Sequence, residues 1–290
     1  MSQTLIKNAN ILSMDSNRSV YIDSAILVED NDIKEIGKLE TFESRVSHQA
    51  NIEDAKENWI LPGLINTHVH TSQHLARGIA DDVDLLVWLH DRIWPYESVL
   101  TEEDSYISSL LCGLEQIRSG VTCFAEAGGQ HVNGMGRAVK ELGIRAALSK
   151  STMDMGEGLP KVWEKNTQEE IDTQLENFEK WNGQENNRIK VWFGLRTIFN
   201  NSDDLIIKTK ELADQHKVGV HMHVAEIREE IEFAKKTRGD STVKHLEKLG
   251  VLDKNFLAVH CVWMTDEEIE IFLKNDVKVS HNPAAAMRVL

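Results

Sequence analysis

Residues 61–70 read LPGLINTHVH and residues 221–226 read HMHVAE, so each stretch sets two histidines one residue apart. Side chains along a strand alternate between faces, and residues i and i+2 project the same way. In an extended segment, His68 and His70 would present two imidazoles side by side. Neutral imidazole is a common ligand for zinc and iron, so such a pair can hold a metal ion. Taken alone, the pair reads equally well as two surface histidines in a turn. Further histidines stand in AVHCVW (His260) and VSHN (His281). Glu226 follows His223 by three residues. A bound metal lowers the pKa of water towards ~7. A carboxylate nearby can take the proton and pass it to a leaving group. The competing reading of Glu226 is a solvated acid at a helix N-terminus, favoured by the helix dipole, because EIREEIEF has the pattern of a helix start.

The elements that must position these residues are legible as an alternation. Short apolar runs suited to strands occur at 63–70, 120–128, 143–151, 189–197, 218–226, 256–262 and 277–282. Amphipathic segments fit helices between them, at 102–118, 132–142, 168–181, 203–216, 227–237, 241–249 and 265–274. Thr101 is placed to cap the first of these and Gly120 stands just past its end. Strand–helix alternation with apolar strands predicts a parallel sheet covered on both faces. Seven such strands predict a (β/α)8 TIM-type barrel, truncated after about the seventh strand. A doubly wound open sheet is the structural alternative. The histidines fall near the C-terminal ends of four different strands, the end at which barrel enzymes keep their active sites. A shared metal site accounts for that clustering. Residues 1–58 differ, with short β-type runs broken by Asn and Asp and a hairpin turn at Asp30–Asp32. They predict the N-terminal part of a small β-sandwich domain, and 59–290 the barrel.

The bulk properties narrow the partners. A net charge of −15, from 47 acidic and 32 basic residues, argues against general nucleic-acid binding, which needs basic patches to displace counterions. It argues equally against an anionic membrane surface. A small-molecule ligand fits better. Cys112, Cys123 and Cys261 are odd in number and scattered, as in a reducing cytosol, and a cytoplasmic location is expected. The first residues carry no basic-then-apolar signal pattern, and no apolar run reaches a membrane span.

PGLINTHVHTSQ, HMHVAE, AVHCVW and VSHNPAAAM, in this order, resemble the amidohydrolase superfamily. Within it they are similar to the branch containing S-adenosylhomocysteine/methylthioadenosine deaminases and triazine (chloro)hydrolases. The resemblance spans nearly the whole chain. It implies a (β/α)8 barrel beside a small β-sandwich and one divalent metal ion, zinc first and iron second. It also implies hydrolytic attack on a ring carbon that bears an amino or other leaving group. By position, His68, His70 and His223 match metal ligands, and Glu226 matches the proton-transfer acid. His260 matches the residue that holds the attacking water or the developing oxyanion, and His281 lies on a motif beside the substrate. VWLHDRIWPYE resembles a substrate loop, in which Trp88 would stack on a heterocycle and Glu97 would bind a polar substituent; core packing is the other reading of Trp88. The family's aspartate ligand on the eighth strand has no match here. The expectation is therefore a fragment of a longer protein, with the functional reading belonging to the whole.

The reading that follows is a hydrolytic deaminase of an aminated N-heteroaromatic compound of adenosine-derivative, guanine, pterin or triazine type. A triazine chlorohydrolase is the alternative within enzymes. A metal-free, non-catalytic binding barrel is the alternative outside them. A homo-oligomer is compatible with the resemblance. Arg196, at the end of the fourth strand, either meets an anionic substrate group or pairs with a carboxylate. His131 either lines the pocket or lies on the surface at a helix start.

Overall fold

The computed structural model describes residues 2–42, 44–81 and 83–289. Its contacts divide the chain into two compact units, Met1–Leu64 and Ile65–Leu290. The first is built on one five-stranded sheet of order β3-β2-β1-β4, with β5 also paired to β1. The strands are β1 (Gln3–Leu12), β2 (Val20–Glu29), β3 (Asp32–Gly37), β4 (Asn51–Asp54) and β5 (Trp59–Ile60). β2 and β3 form the hairpin expected from the turn at Asp30–Asp32. Apolar residues gather in two clusters, Leu5, Ala25, Leu27 and Phe42 in one and Ala9, Ile11 and Ile26 in the other. Among the described residues this unit is one sheet rather than two stacked ones. Trp59 and Ile60 pair in parallel with Asn10 and Ile11. That long-range pairing takes them into the first unit, so the division falls after Leu64 instead of after residue 58.

The second unit alternates strands and helices as expected. Its strands are β6 (Leu64–Val69), β7 (Val121–Glu126), β8 (Arg145–Leu148), β9 (Ile189–Val191), β10 (Phe193–Leu195), β11 (Val220–Val224), β12 (Phe256–His260) and β13 (Lys278–Ser280). They form two four-stranded runs, β6-β7-β8-β9 and β10-β11-β12-β13, with parallel pairing. The strand expected over 189–197 is interrupted at Trp192. The Trp192 amide donates to Leu148 O on one side (2.9 Å) and the Phe193 amide to Gly219 O on the other (3.0 Å). One strand thus hands its hydrogen bonds from one run to the next. Thr67 Oγ1 on β6 and Ser280 Oγ on β13 lie 2.7 Å apart. The first and last strands therefore approach each other, and the sheet curls round instead of lying open.

The covering helices are α1 (Glu102–Arg118), α2 (Val132–Leu142), α3 (Thr167–Trp181), α4 (Asp203–His216), α5 (Arg228–Arg238), α6 (Thr242–Lys248) and α7 (Asp266–Asn275), followed by α8 (Pro283–Val289). Local chemistry sets several of their ends. Thr101 accepts the Asp104 amide while Asp104 accepts the Thr101 amide, a reciprocal capping box that starts α1. α2 stops at Gly143, whose φ of 72° is open to glycine without steric cost. α1 and α2 approach so closely that a Cβ on Gly134 would stand 2.3 Å from Glu102 O. The main core lies between β10–β12 and α4–α7, around Phe193, Leu205, Met222, Leu246 and Phe256, all fully buried. Truncating such a leucine to alanine costs about 2–5 kcal/mol, so β11 and β12, which carry His221, His223 and His260, stand on a well-packed core. No described helix is long and apolar enough to cross a membrane.

Candidate active site

Parallel pairing places equivalent strand ends together. His221 and His223 sit on β11, His260 ends β12, and His68 and His70 lie at the end of β6. Their rings pack against one another. His68 lies 5.0 Å from His70, 5.0 Å from His223 and 5.1 Å from His260 between ring centroids. His70 and His223 are 5.3 Å apart, and His223 and His260 5.4 Å. One ring nitrogen from each of His68, His223 and His260 falls within 4.8 Å of the others. The His70 and His223 Nε2 atoms are 3.3 Å apart.

Burial keeps these rings neutral. It lowers the pKa of His68, His70 and His223 well below the ordinary histidine value, and each ring further disfavours charge on its neighbours or feels the Arg196 guanidinium. His260 is lowered to about 4 and His221 to about 3, again chiefly by burial. The His223 tautomer follows from its surroundings. Nδ1 lies 2.9 Å from the Arg196 carbonyl and must donate to it, so Nε2 carries a bare lone pair pointing towards His70. His221 lies behind the cluster, with Nε2 3.3 Å from His68 Nδ1.

These residues fit a divalent cation. Neutral imidazoles with converging nitrogens are the ligating form, and an all-nitrogen histidine set suits zinc or iron. His70 Nδ1 and His221 Nδ1 are buried and have no hydrogen-bond partner. Such orphans are uncommon unless a further group completes the site. The clustered donors are histidines alone; no carboxylate joins them among the described residues.

Glu226 stands beside the cluster, its Oε1 3.3 Å from His260 Nε2. Burial raises its carboxyl to about 7, with Arg196 pulling it down and Glu230 pushing it up. Glu226 is not the solvated acid that its place before a helix suggested, since its side chain is largely buried. α5 starts from Ile227, with no side-chain cap, and the Glu226 carboxylate turns to His260 instead. The corner that presents it is strained. Ala225 has φ 52°, and His260 and Cys261 have φ 73° and 52°. Non-glycine residues in this region cost about 1–3 kcal/mol each and gather at functional sites. The two corners hold each other, since the Cys261 amide donates to Val224 O (3.0 Å) and the Val262 amide to Ala225 O (2.9 Å).

A cavity of about 850 Å³ opens over this group, lined by His68, His70, His223, Glu226 and His260 together with Trp88, Gln73 and Arg196. Trp88 lines the cavity and also packs against Leu89, Trp94, Met153 and Trp163. It begins a π-helical turn, Trp88–Ile93, a form that recurs at functional sites. Glu97 does not line the cavity. It is buried behind the wall and accepts hydrogen bonds from Ser72 Oγ (3.2 Å) and Gln73 Nε2 (3.1 Å). His281 is exposed and also off the wall. Its Nδ1 approaches the His260 carbonyl at 3.3 Å. His131 takes up the Leu100 carbonyl at the start of α2 (2.7 Å).

Two residues of the site carry little signal in the sequence. Arg196 is buried in the cavity wall with its Nε unpartnered, and only its place at a strand end marked it out. Gln73 stood unremarked inside the PGLINTHVHTSQ stretch.

Residues 59–289 match the pattern of the Amidohydrolase family. A 5'-deoxyadenosine deaminase of Methanobrevibacter smithii is 38% identical over 285 residues, covering 98% of this chain and 62% of that protein. A 5-methylthioadenosine/S-adenosylhomocysteine deaminase of Halothermothrix orenii is 31% identical, covering 98% of this chain and 64% of the relative. The chain thus spans somewhat under two thirds of the length of these relatives. Among solved structures, an adenosine deaminase from Xanthomonas campestris with bound zinc superposes with a TM-score of 0.90 at 25% identity, over 99% of this chain and 64% of that one.

Proposed function

The chain belongs to the amidohydrolase family, and on that premise we propose that the whole protein hydrolytically deaminates an aminated N-heterocycle of the adenosine-derivative class. The observation that carries this reading is the Glu226 carboxyl, 3.3 Å from His260 Nε2, in a cavity also lined by His68, His70 and His223, with the Nε2 atoms of His70 and His223 3.3 Å apart. The relatives named for 5'-deoxyadenosine and 5-methylthioadenosine/S-adenosylhomocysteine support a purine nucleoside altered at its 5' position as the substrate. The barrel expected to carry the site is the (β/α)8 type.

In this proposal His68, His70 and His223 hold one divalent ion, zinc before iron. When bound, such an ion lowers the pKa of water enough for attack near neutral pH. Glu226 takes the proton released as water adds to the ring carbon. With its carboxyl raised to about 7, it is basic enough to accept that proton and acidic enough to give it up. It gives that proton to the neighbouring ring nitrogen, then takes the second proton from the newly added hydroxyl as the carbonyl forms and the C–N bond breaks, and passes it to the departing amine, so that ammonia leaves. His260, held neutral and facing Glu226, orients the attacking oxygen and donates to the oxygen that develops charge. Trp88 supplies a flat apolar wall for the heterocycle. Arg196, a buried guanidinium in the wall, offers donors to ring acceptors or to a polar substituent. Glu97 acts through Gln73, whose side chain it holds in place in the cavity wall. His281 supports His260 at its backbone.

The test is an ammonia-release screen of aminated purine nucleosides with the whole protein, run beside chloride release from chlorotriazines. Ammonia from a 5'-modified adenosine is the expected result. Chloride release without ammonia release would overturn the proposal.

A further inference from the structure

We infer that Glu230 is a positioning residue for Glu226, holding the strained corner that aims the Glu226 carboxylate at His260. The inference rests on the role given to Glu226 above. Glu230 lies in the first turn of α5 and is 1% exposed. Its Oε1 accepts the Ala225 amide (2.8 Å) and the Thr242 hydroxyl (2.8 Å), and its Oε2 accepts the Glu226 amide (3.0 Å). Both oxygens are therefore spent on two consecutive amides of the corner.

An ordinary helix start would look different. With Ile227 as N-cap, Glu230 is the third helical residue, the position from which a capping-box acid reaches back to the N-cap amide. Glu230 passes over the Ile227 amide and takes the two amides before it. Those amides belong to Ala225, in the left-handed region at φ 52°, and to Glu226 itself. A backbone held there needs its surroundings to over-determine it. The Glu230 carboxylate supplies one side of that hold. The other side is Ala225 O, which accepts the Val262 and Trp263 amides at 2.9 Å each and joins the corner to the one that carries His260. Thr242, on α6, fixes the Glu230 carboxylate from behind. The chain α6–Glu230–Ala225–Glu226 thus sets the distance on which proton transfer depends.

A glutamine at 230 retains the size but offers only one acceptor oxygen. Its NH₂ group must face one of the two amide N–H groups, donor to donor. In the metal-loaded whole protein, Glu230→Gln should lower kcat about 10- to 100-fold, the cost of misplacing a reacting group by about an ångström. KM and metal content should stay within about twofold. A double-mutant cycle separates positioning from general loosening. If Glu230 acts through Glu226, Glu226→Gln/Glu230→Gln should be no slower than Glu226→Gln alone. A double variant slowed by the product of the two single effects, or a Glu230→Gln kcat within twofold of wild type, would overturn the inference. Hydrogen exchange on the unmodified protein keeps the test open if Glu230→Gln does not fold. The Ala225 and Glu226 amides lie outside every helix and strand, yet they should be protected like core amides, and rapid exchange at both would overturn the inference. Wild-type turnover in Glu226→Gln would instead overturn the role of Glu226, a separate outcome.

Discussion

Replacing Glu226 by glutamine removes one capacity and little else. The amide has nearly the volume of the carboxylic acid, and its oxygen can still accept from His260 Nε2, which Oε1 now faces at 3.3 Å. It cannot take a proton from water or return one to a ring nitrogen. The size of the effect follows from the surroundings of Glu226. Burial raises its carboxyl from an ordinary 4.5 to about 7, so near neutral pH both protonation states are well populated. Groups so matched contribute about 10²–10⁴-fold to rate, or roughly 3–5.5 kcal/mol of barrier at about 1.4 kcal/mol per factor of ten. Glu226→Gln should therefore lower kcat for ammonia release by at least about 10²-fold, with metal content unchanged. The pH profile supplies a second reading. The ionised carboxylate is the form that accepts the proton, so wild-type kcat/KM should rise with pH as that form appears. The rise should be centred at or below about 7, since a cation at the neighbouring histidines favours the ionised form. This limb should be absent in Glu226→Gln. A halide leaving group, which needs no proton, should lose less rate than an amine. Near-wild-type deamination by metal-replete Glu226→Gln would refute the proton-transfer argument.

Three further outcomes follow from the same geometry. His223→Ala should abolish metal binding, whereas His221→Ala, which removes only the partner behind His68, should weaken it about 10- to 100-fold; elemental analysis after dialysis checks this, and the reverse order would reassign the ligand. Trp88→Ala should raise KM about 3- to 10-fold with a smaller change in kcat, the scale of a lost aromatic contact of about 0.5–1.5 kcal/mol; steady-state kinetics decide, and an unchanged KM with lowered stability would leave Trp88 a packing residue. Glu126, fully buried and raised to about 8, holds its proton more tightly folded than unfolded, so its contribution to stability falls as pH rises from about 4.5 through about 8; Glu126→Gln should gain on wild type by roughly 3–5 kcal/mol between pH 5 and 8.5, and parallel urea-unfolding profiles at the two pH values would contradict this.

Much of the scaffold was legible because its signals are local. Thr101, and the apolar spacing from Glu102 to Arg118, bound α1 at the residues expected. Strand parity put His68 and His70, and His221 and His223, on common faces, and parallel pairing then brought the strand ends together. What stayed hidden depends on distant partners. The break at Trp192 exists because Leu148 and Gly219 claim successive hydrogen bonds on opposite sides. β5 belongs with the first unit because Trp59 and Ile60 find β1 some fifty residues earlier. Glu226 read as well for a helix cap as for a catalytic acid, because the left-handed turn at Ala225 that redirects it falls on a residue type with no preference for that conformation. Glu97 read as a substrate contact; the structure places it off the cavity wall, holding the Ser72 and Gln73 side chains, a long-range arrangement that no local signal marks. Glu230 looked like one more acid in a helix rich in them, and only its two bonded amides distinguish it.

The most direct test of metal-dependent deamination is ammonia release from 5'-deoxyadenosine by the whole protein, measured as purified, after chelation, and after return of zinc or iron. The expected result is one ammonia per deaminated nucleoside, lost as the ion bound at His68, His70 and His223 is withdrawn and restored as it returns. Undiminished ammonia release from protein that elemental analysis shows to be free of metal would contradict the account.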